Sequence, residues 1–399
     1  MANVTQLKHL EHLEDEMLNY GVEGCKAAVS FLKELRKMLG CDDSTGFMQT
    51  KWDGAPAVVC GEHPVTGIFF VGTKSVFNKN DPKICYTEDD VERYYGQGDL
   101  SRKLKASLKW FGGLEIQGII QGDLLFTSDD VKVENVHGER LYTFRPNTIT
   151  YGIPVDHPIG KEIKNAKIGV VFHTPYGNDW NVSGSSVPIK TFAKLTEVAV
   201  VDNDTPMHKV GLNHQEEVKF DGHVATIEKM CGICGDFLDE LVTNTGSTGD
   251  QKWHIATHLK PFFNAEIKAA RTINNADNAL ESLYNFYYDK TKVMLDRLKT
   301  NNTKVAKAAL VHGSLNYLET NKLKFKAMLG LYKELQTVKQ MVVDKLDHLE
   351  TFRTFAQTDN GYKVTGPEGY VLHKDGDMIK FVNRLEFSYI NFTLAKQWR

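Results

Sequence analysis

The sequence predicts an α+β protein: an antiparallel-sheet domain interrupted by a large all-helical insertion and preceded by a short N-terminal helical segment. Three changes of period predict it. Apolar residues recur at spacings of three and four in 1–45, give way to short β-rich runs over 46–190, and return to helical spacing over 191–358. Alternation then resumes over 359–399, so the same sheet domain is assigned 46–190 together with 359–399.

Each element follows from its residues. Leu7, Leu10, Leu13 and Met17, then Val29, Leu32, Leu35 and Leu39, form two helical stripes that Gly21 and Gly24 separate. APAVVC, GIFFVG, IQGIIQGDLLF, NTITYGIP and KIGVVFH are strand-like runs bounded by turn residues, with helices around DDVERYY and LSRKLKASLKWF. Phe325, Met328, Tyr332, Leu335, Val338, Val342, Leu346 and Leu349 keep helical spacing over several turns. GYKVTGPEGYVLHKDGDMIKFVNRLEF is hairpin chemistry around KDGD. A strand pair this short is marginal alone, so it is expected to complete the earlier sheet.

Composition narrows the function classes. The chain has 399 residues, 41% hydrophobic and 25% charged, with net charge −3, which suits two or three folded domains. No apolar run reaches the length of a membrane span, and MANVTQLKHLEHLEDEML lacks the basic then apolar order of a signal peptide. A cytoplasmic protein without a membrane partner is expected. Six cysteines are too sparse for a disulfide framework, and Cys231 and Cys234 form a CxxC without a second pair, so reduced thiols on a helix are expected. Residues 251–360 hold 17 Lys and Arg against 11 Asp and Glu, leaving the remainder at −9. This segment reads either as a solvated face or as a phosphate-facing surface, and Lys322, Lys324 and Lys326 are its first candidates for contact.

The stretch MQTKWDGAPAVVCG sets Lys51, Trp52, Asp53 and Gly54 between two β-prone runs. K-x-D-G alone is expected by chance in about one protein of this length in ten. Its companions are Gly122-Asp123-Leu124-Leu125, Glu368-Gly369-Tyr370-Val371 and the strand MIKFV with Lys380. In this order the set resembles the covalent nucleotidyltransferase superfamily of ATP-dependent polynucleotide ligases and capping enzymes, and is most similar to phage-type RNA ligases. The resemblance covers the sheet region, roughly half the chain, and the helical half has no counterpart in it.

The resemblance implies an adenylation domain of ATP-grasp-like ligase type, with ATP and Mg²⁺ (or Mn²⁺) as cofactors. Lys51 would be the adenylated nucleophile and Lys380 a catalytic cation. Thr50, Asp53, Gly54, Lys74, Phe172 and Arg384 would contact the nucleotide, Phe172 by stacking on the purine and Arg384 as a second cation. Asp123 and Glu368 would hold the metal. The pattern departs from the family where Asp123 replaces glutamate and where Phe381 and Val382 follow Lys380 in place of a second lysine.

The chemistry asks for these residue types independently. A lysine that attacks phosphorus must be neutral, so cations near it are expected to lower its pKa from about 10.4. Mg²⁺ takes carboxylate, water and phosphate oxygens. Only 19 residues follow Lys380, too few for an OB barrel, which favours an RNA-ligase type over DNA ligases and capping enzymes. The expected activity is self-adenylation on Lys51, AMP transfer to a 5′-phosphate end and sealing to a 3′-hydroxyl. A DNA ligase lacking the OB domain and an inactive nucleic-acid-binding relative are the alternatives. The expected partners are ATP and nucleic acid, RNA ends before nicked DNA, for a monomer in a cytoplasm, that of the host if the chain is of phage origin.

Overall fold

Helix starts and strand reversals follow local chemistry. In the computed structural model, residues 10–40, 43–183, 192–243, 249–349, 352–358 and 361–388 are described; Leu7 and Cys41 lie outside them. In chain order the elements are α1 (Glu16–Gly40), β1 (Phe47–Lys51), β2 (Ala57–Glu62), β3 (Phe69–Gly72), α2 (Glu88–Tyr95), α3 (Asp99–Phe111), β4 (Ile119–Thr127), β5 (Lys132–Val136), β6 (Glu139–Phe144), β7 (Thr150–Pro154), α4 (Pro158–Ile163), β8 (Ile168–Tyr176) and β9 (Val198–Val200). There follow α5 (His214–Val242), α6 (Gln251–Lys268), α7 (Ala276–Asp296), α8 (Asn301–Thr320), α9 (Lys322–Leu346), β10 (Arg353–Thr358), β11 (Gly361–Val364), β12 (Gly369–Lys374) and β13 (Asp377–Phe381).

Reciprocal side-chain and backbone hydrogen bonds between Thr87 and Asp90 start α2, and those between Asn213 and Glu216 start α5. The expected KDGD reversal joins β12 to β13, with Asp375 and Gly376 at φ 50° and 85°. Gly21 (φ 58°, ψ −130°) kinks α1 where the two sequence stripes part. Gly24 permits the close return, since a Cβ there would sit 2.0 Å from the Glu16 carbonyl oxygen.

Three sheets result where one was expected. The order β3-β2-β4-β8-β9 is antiparallel apart from the β8–β9 pair, and β11-β10-β7-β6-β5 is antiparallel throughout. The C-terminal hairpin pairs with β1 in a separate order, β1-β12-β13. β9 and β10 both fall within 191–358, the range read as all helical. Their assignment depends on partners far away in sequence, β8 and β7, which local period does not reveal.

The helices are not a detached module. Met48, Tyr370, Leu372, Ile379 and Phe381 on one face of β1-β12-β13 share a continuous apolar core with α1 and α5–α9. Phe325, Met328, Tyr332, Leu335, Val338, Val342 and Leu346 of α9 are all buried in it, as their spacing predicted. Cys231 and Cys234 are buried free thiols on α5. Among the described residues no helix is long and apolar enough to cross a membrane.

A buried ionic network pins this core to both ends of the described chain. Lys339 Nζ of α9 lies 2.5 Å from Glu14 Oε1, both fully enclosed. Arg384 donates to Asp15 Oδ1 (3.2 Å), Tyr332 Oη (2.9 Å) and Asn264 Oδ1 (2.6 Å). Burial opposes each charge here, and Lys339 and Arg384 together hold the Glu14 carboxyl below its usual range.

Lys339→Met removes one partner of a buried pair and is expected to cost about 3–5 kcal/mol, read from a urea denaturation midpoint. The double change Glu14→Gln with Lys339→Met should recover part of that loss. Equal losses in both variants would show that the pair is not coupled.

Candidate active site

Lys51 closes β1, and β1 runs antiparallel to β12 with Lys51 opposite Gly369. The residue before Gly369 is Glu368, whose Oε1 lies 2.7 Å from Lys51 Nζ. Two motifs 317 positions apart thus meet at one hydrogen-bonded register. Gly369 allows it: its φ is +141°, and a Cβ would stand 2.3 Å from the Phe381 carbonyl oxygen on β13. Lys380 sits on β13 opposite Val371 and is half-buried.

The second sheet supplies the facing wall. After β1 the chain turns through Trp52, Asp53 and Gly54, and a Cβ on Gly54 would fall 2.5 Å from Cβ of Asp123 on β4. Glycine at this point therefore serves the approach of the lysine turn to Asp123, where nucleotide contact was expected. His173 Nε2 lies 3.5 Å from Asp123 Oδ2, and its Nδ1 is 2.7 Å from Thr174 Oγ1. Lys74, exposed at the start of the short turn after β3, adds its charge to Asp123 from solvent.

Several predicted contacts fall elsewhere. Phe172 is fully buried against Phe111 and Phe192, on the face of its sheet opposite Asp123, so it is core and stacks on no purine. The reason is a bulge: Gln121 pairs with Thr174 and Gly122 with Phe172, which leaves His173 as the extra residue and turns it toward Asp123. Asp53 is also spent on structure. Its Oδ1 accepts from Asn147 Nδ2 (2.7 Å) and its Oδ2 from the Thr148 and Ile149 amides (2.7 and 3.0 Å), fixing the entry to β7. Thr50 points away from Lys51, with its amide on the Asn203 carbonyl (2.7 Å) and its hydroxyl 3.2 Å from that of Thr205. Arg384 is held in the ionic network beneath the sheet, so it offers no second cation beside Lys380. Lys322, Lys324 and Lys326 face Glu319, Glu240 and Asp277, which neutralises the lysine cluster singled out on the helices.

Electrostatics at Lys51 also differ from the expectation. Burial works against the ammonium, but Glu368, Asp123 and Asp53 outweigh it and hold Lys51 above its usual value. Burial raises Glu368 to about 7 despite the attraction of Lys51. Between these values both groups are ionised; below pH 7 Glu368 takes a proton while Lys51 keeps its charge. Burial and the Lys51 ammonium push Lys380 down. Asp123 stays below the usual carboxylate range because His173, Lys51 and Lys74 overcome its burial.

Mg²⁺ or Mn²⁺ requires oxygen donors. Among the described residues no three His, Cys, Asp or Glu side chains converge as a metal cage. Asp123 and Glu368 flank Lys51, and two carboxylates suit a hard cation that keeps waters and phosphate oxygens as its other ligands. The missed member of the site is His173, hidden by the apolar run IGVVFH in which no local signal marks the bulge.

Fold and site together define an α+β protein with a lysine and carboxylate cluster where the end of one sheet meets a second. The chain belongs to a family of unknown function, DUF6267, whose model matches residues 3–396. No curated protein and no solved structure matches the chain.

The raised Glu368 sets a pH dependence. Its folded value of about 7 exceeds its ordinary 4.5, so its stabilising contribution is complete below pH 4.5 and is lost as pH rises through 7. Thermal melts from about pH 5 to about pH 8 should show Tm falling more steeply in the natural protein than in Glu368→Gln. Parallel profiles would mean that Glu368 does not titrate in this window.

Proposed function

We propose that the protein is an ATP-dependent RNA ligase that adenylates itself on Lys51, passes AMP to a 5′-phosphate end and seals that end to a 3′-hydroxyl. The observation that carries this reading is the 2.7 Å contact between Lys51 of K-W-D-G and Glu368 of E-G-Y-V, with Asp123, Lys74 and Lys380 within electrostatic reach. Neutral Lys51 would attack the α-phosphorus of ATP, forming a P–N bond as the bond to pyrophosphate breaks. Glu368 Oε1 is the acceptor through which the ammonium can lose its proton. Lys74 and Lys380 would neutralise charge growing on the phosphates. A bound Mg²⁺ or Mn²⁺, held by Asp123 and Glu368, would supply further positive charge there. The reading carries with it a monomer acting in a cytoplasm, that of the host for a phage protein.

Two observations favour a second reading, a nucleic-acid-binding relative without turnover. Lys51 is held as an ammonium, and the cation expected beside Lys380 is engaged elsewhere. Chemistry on ATP distinguishes the two.

Incubation with ATP labelled at the α-phosphate and Mg²⁺ should leave an acid-stable AMP adduct on the protein. Lys51→Ala should abolish it, and Lys51→Arg should fail equally because a guanidinium does not deprotonate in the accessible range. Asp123→Ala and Glu368→Ala should fold, lose most of the label and shift its dependence on Mg²⁺ concentration. No adduct on the natural protein would leave the second reading standing; label on Lys51→Ala would reassign the nucleophile.

A further inference from the structure

The positive charge of the helical half is concentrated at one place, the tip of the α7–α8 hairpin. Residues 288–307 hold six basic residues against two acidic ones. Lys292, Arg297, Lys299 and Lys304 are all exposed, and among the described residues none of them has a carboxylate within 4.0 Å. This contrasts with Lys322, Lys324 and Lys326, each of which has one. Four unpaired cations within about two helical turns of one tip repel each other, so an anion that bridges them gains what folding left uncompensated.

The exposed face of α7 that leads to this tip carries aromatic surface in register. Tyr284, Tyr288 and Lys292 are spaced by four, which aligns them along one face of α7 over about 12 Å. Tyr284 and Tyr288 are 37% and 48% exposed, a large apolar area for surface positions. α8 begins at Asn301, at the tip itself, where the Thr300 side chain makes no cap hydrogen bond to the first amides and its hydroxyl donates to Thr303 Oγ1 at 2.8 Å. Free amides and a helix dipole there favour a further negative group. Stacking faces beside unpaired cations match a single strand, whose bases and phosphates alternate; a lipid headgroup layer offers phosphates without flat rings.

We propose that the exposed face of α7 and the α7–α8 tip together bind a single-stranded polynucleotide, with Tyr284 and Tyr288 along α7 against bases and Lys292, Arg297, Lys299 and Lys304 toward the tip against phosphates. The partner class rests on the ligase reading above, and the surface deepens it by locating where the strand is held. RNA and DNA share this backbone chemistry.

Fluorescence anisotropy with labelled single-stranded RNA and DNA oligonucleotides tests it. Reversing the four cations to glutamate should weaken binding at least about tenfold at low salt and flatten the plot of log affinity against log salt by about 3, at roughly 0.7 for each phosphate no longer neutralised. Glutamine at the same four positions keeps the test valid if the charge reversal unfolds the hairpin, which circular dichroism would show. Tyr284→Ala with Tyr288→Ala should weaken binding with little change of slope. K322E, K324E and K326E combined should leave affinity within about twofold. Unchanged affinity in a folded four-cation variant, or binding to phosphatidylserine vesicles without binding to either strand, overturns the proposal. Adenylation of the same preparations is read with ATP alone: label without strand binding refutes the surface and spares the ligase reading, and the reverse result does the opposite.

Discussion

The pairing of β1 with β12 is the constraint on which the site depends. It places Lys51 opposite Gly369 and therefore Nζ within 2.7 Å of Glu368. Side chains alternate along a strand, so a slip of one residue would send Lys51 to the apolar face and Tyr370 into the site. The register is held from the other side by Met48, Tyr370, Leu372, Ile379 and Phe381, which are buried against the helices. Moving any of them into water would cost on the order of 1.5–3 kcal/mol each.

This coupling gives the helical half a structural duty that a simple insertion would not have. α1 and α5–α9 form the floor under the lysine strand, and the network of Glu14, Asp15, Tyr332, Lys339 and Arg384 ties that floor to segments at both ends of the described chain. A buried pair of this kind is a weak source of net stability, but a strong penalty attaches to breaking it.

The charge state of the site follows from the same enclosure. Burial alone would make Lys51 a better nucleophile, yet three carboxylates keep it charged. The same burial raises Glu368 toward neutrality, which makes the pair sensitive to whatever compensates the carboxylates. Cations at Asp123 and Glu368 would weaken the hold on the Lys51 proton, and phosphate groups would be drawn by Lys74 and Lys380. A polynucleotide at the α7–α8 tip would complete the division of labour, with chemistry on the sheets and strand capture on the helices.

Much of this was legible in sequence because it is local. The change from helical to alternating period, the KDGD reversal, the break at Gly21 and the α9 core stripe are all written in residues a few positions apart. Lys51, Asp123 and Lys380 do fall on strands, and Glu368 on the residue before one. Tertiary structure alone decided the rest. Long-range pairing made β9 and β10 strands and divided the strands among three sheets. One bulged residue exchanged Phe172 for His173 beside Asp123. Buried partners claimed Asp53 and Arg384, and surface carboxylates neutralised Lys322, Lys324 and Lys326. A sequence determines what each side chain can do, whereas its partner, and hence its charge and its role, depends on which distant groups the packed chain brings within a few ångströms.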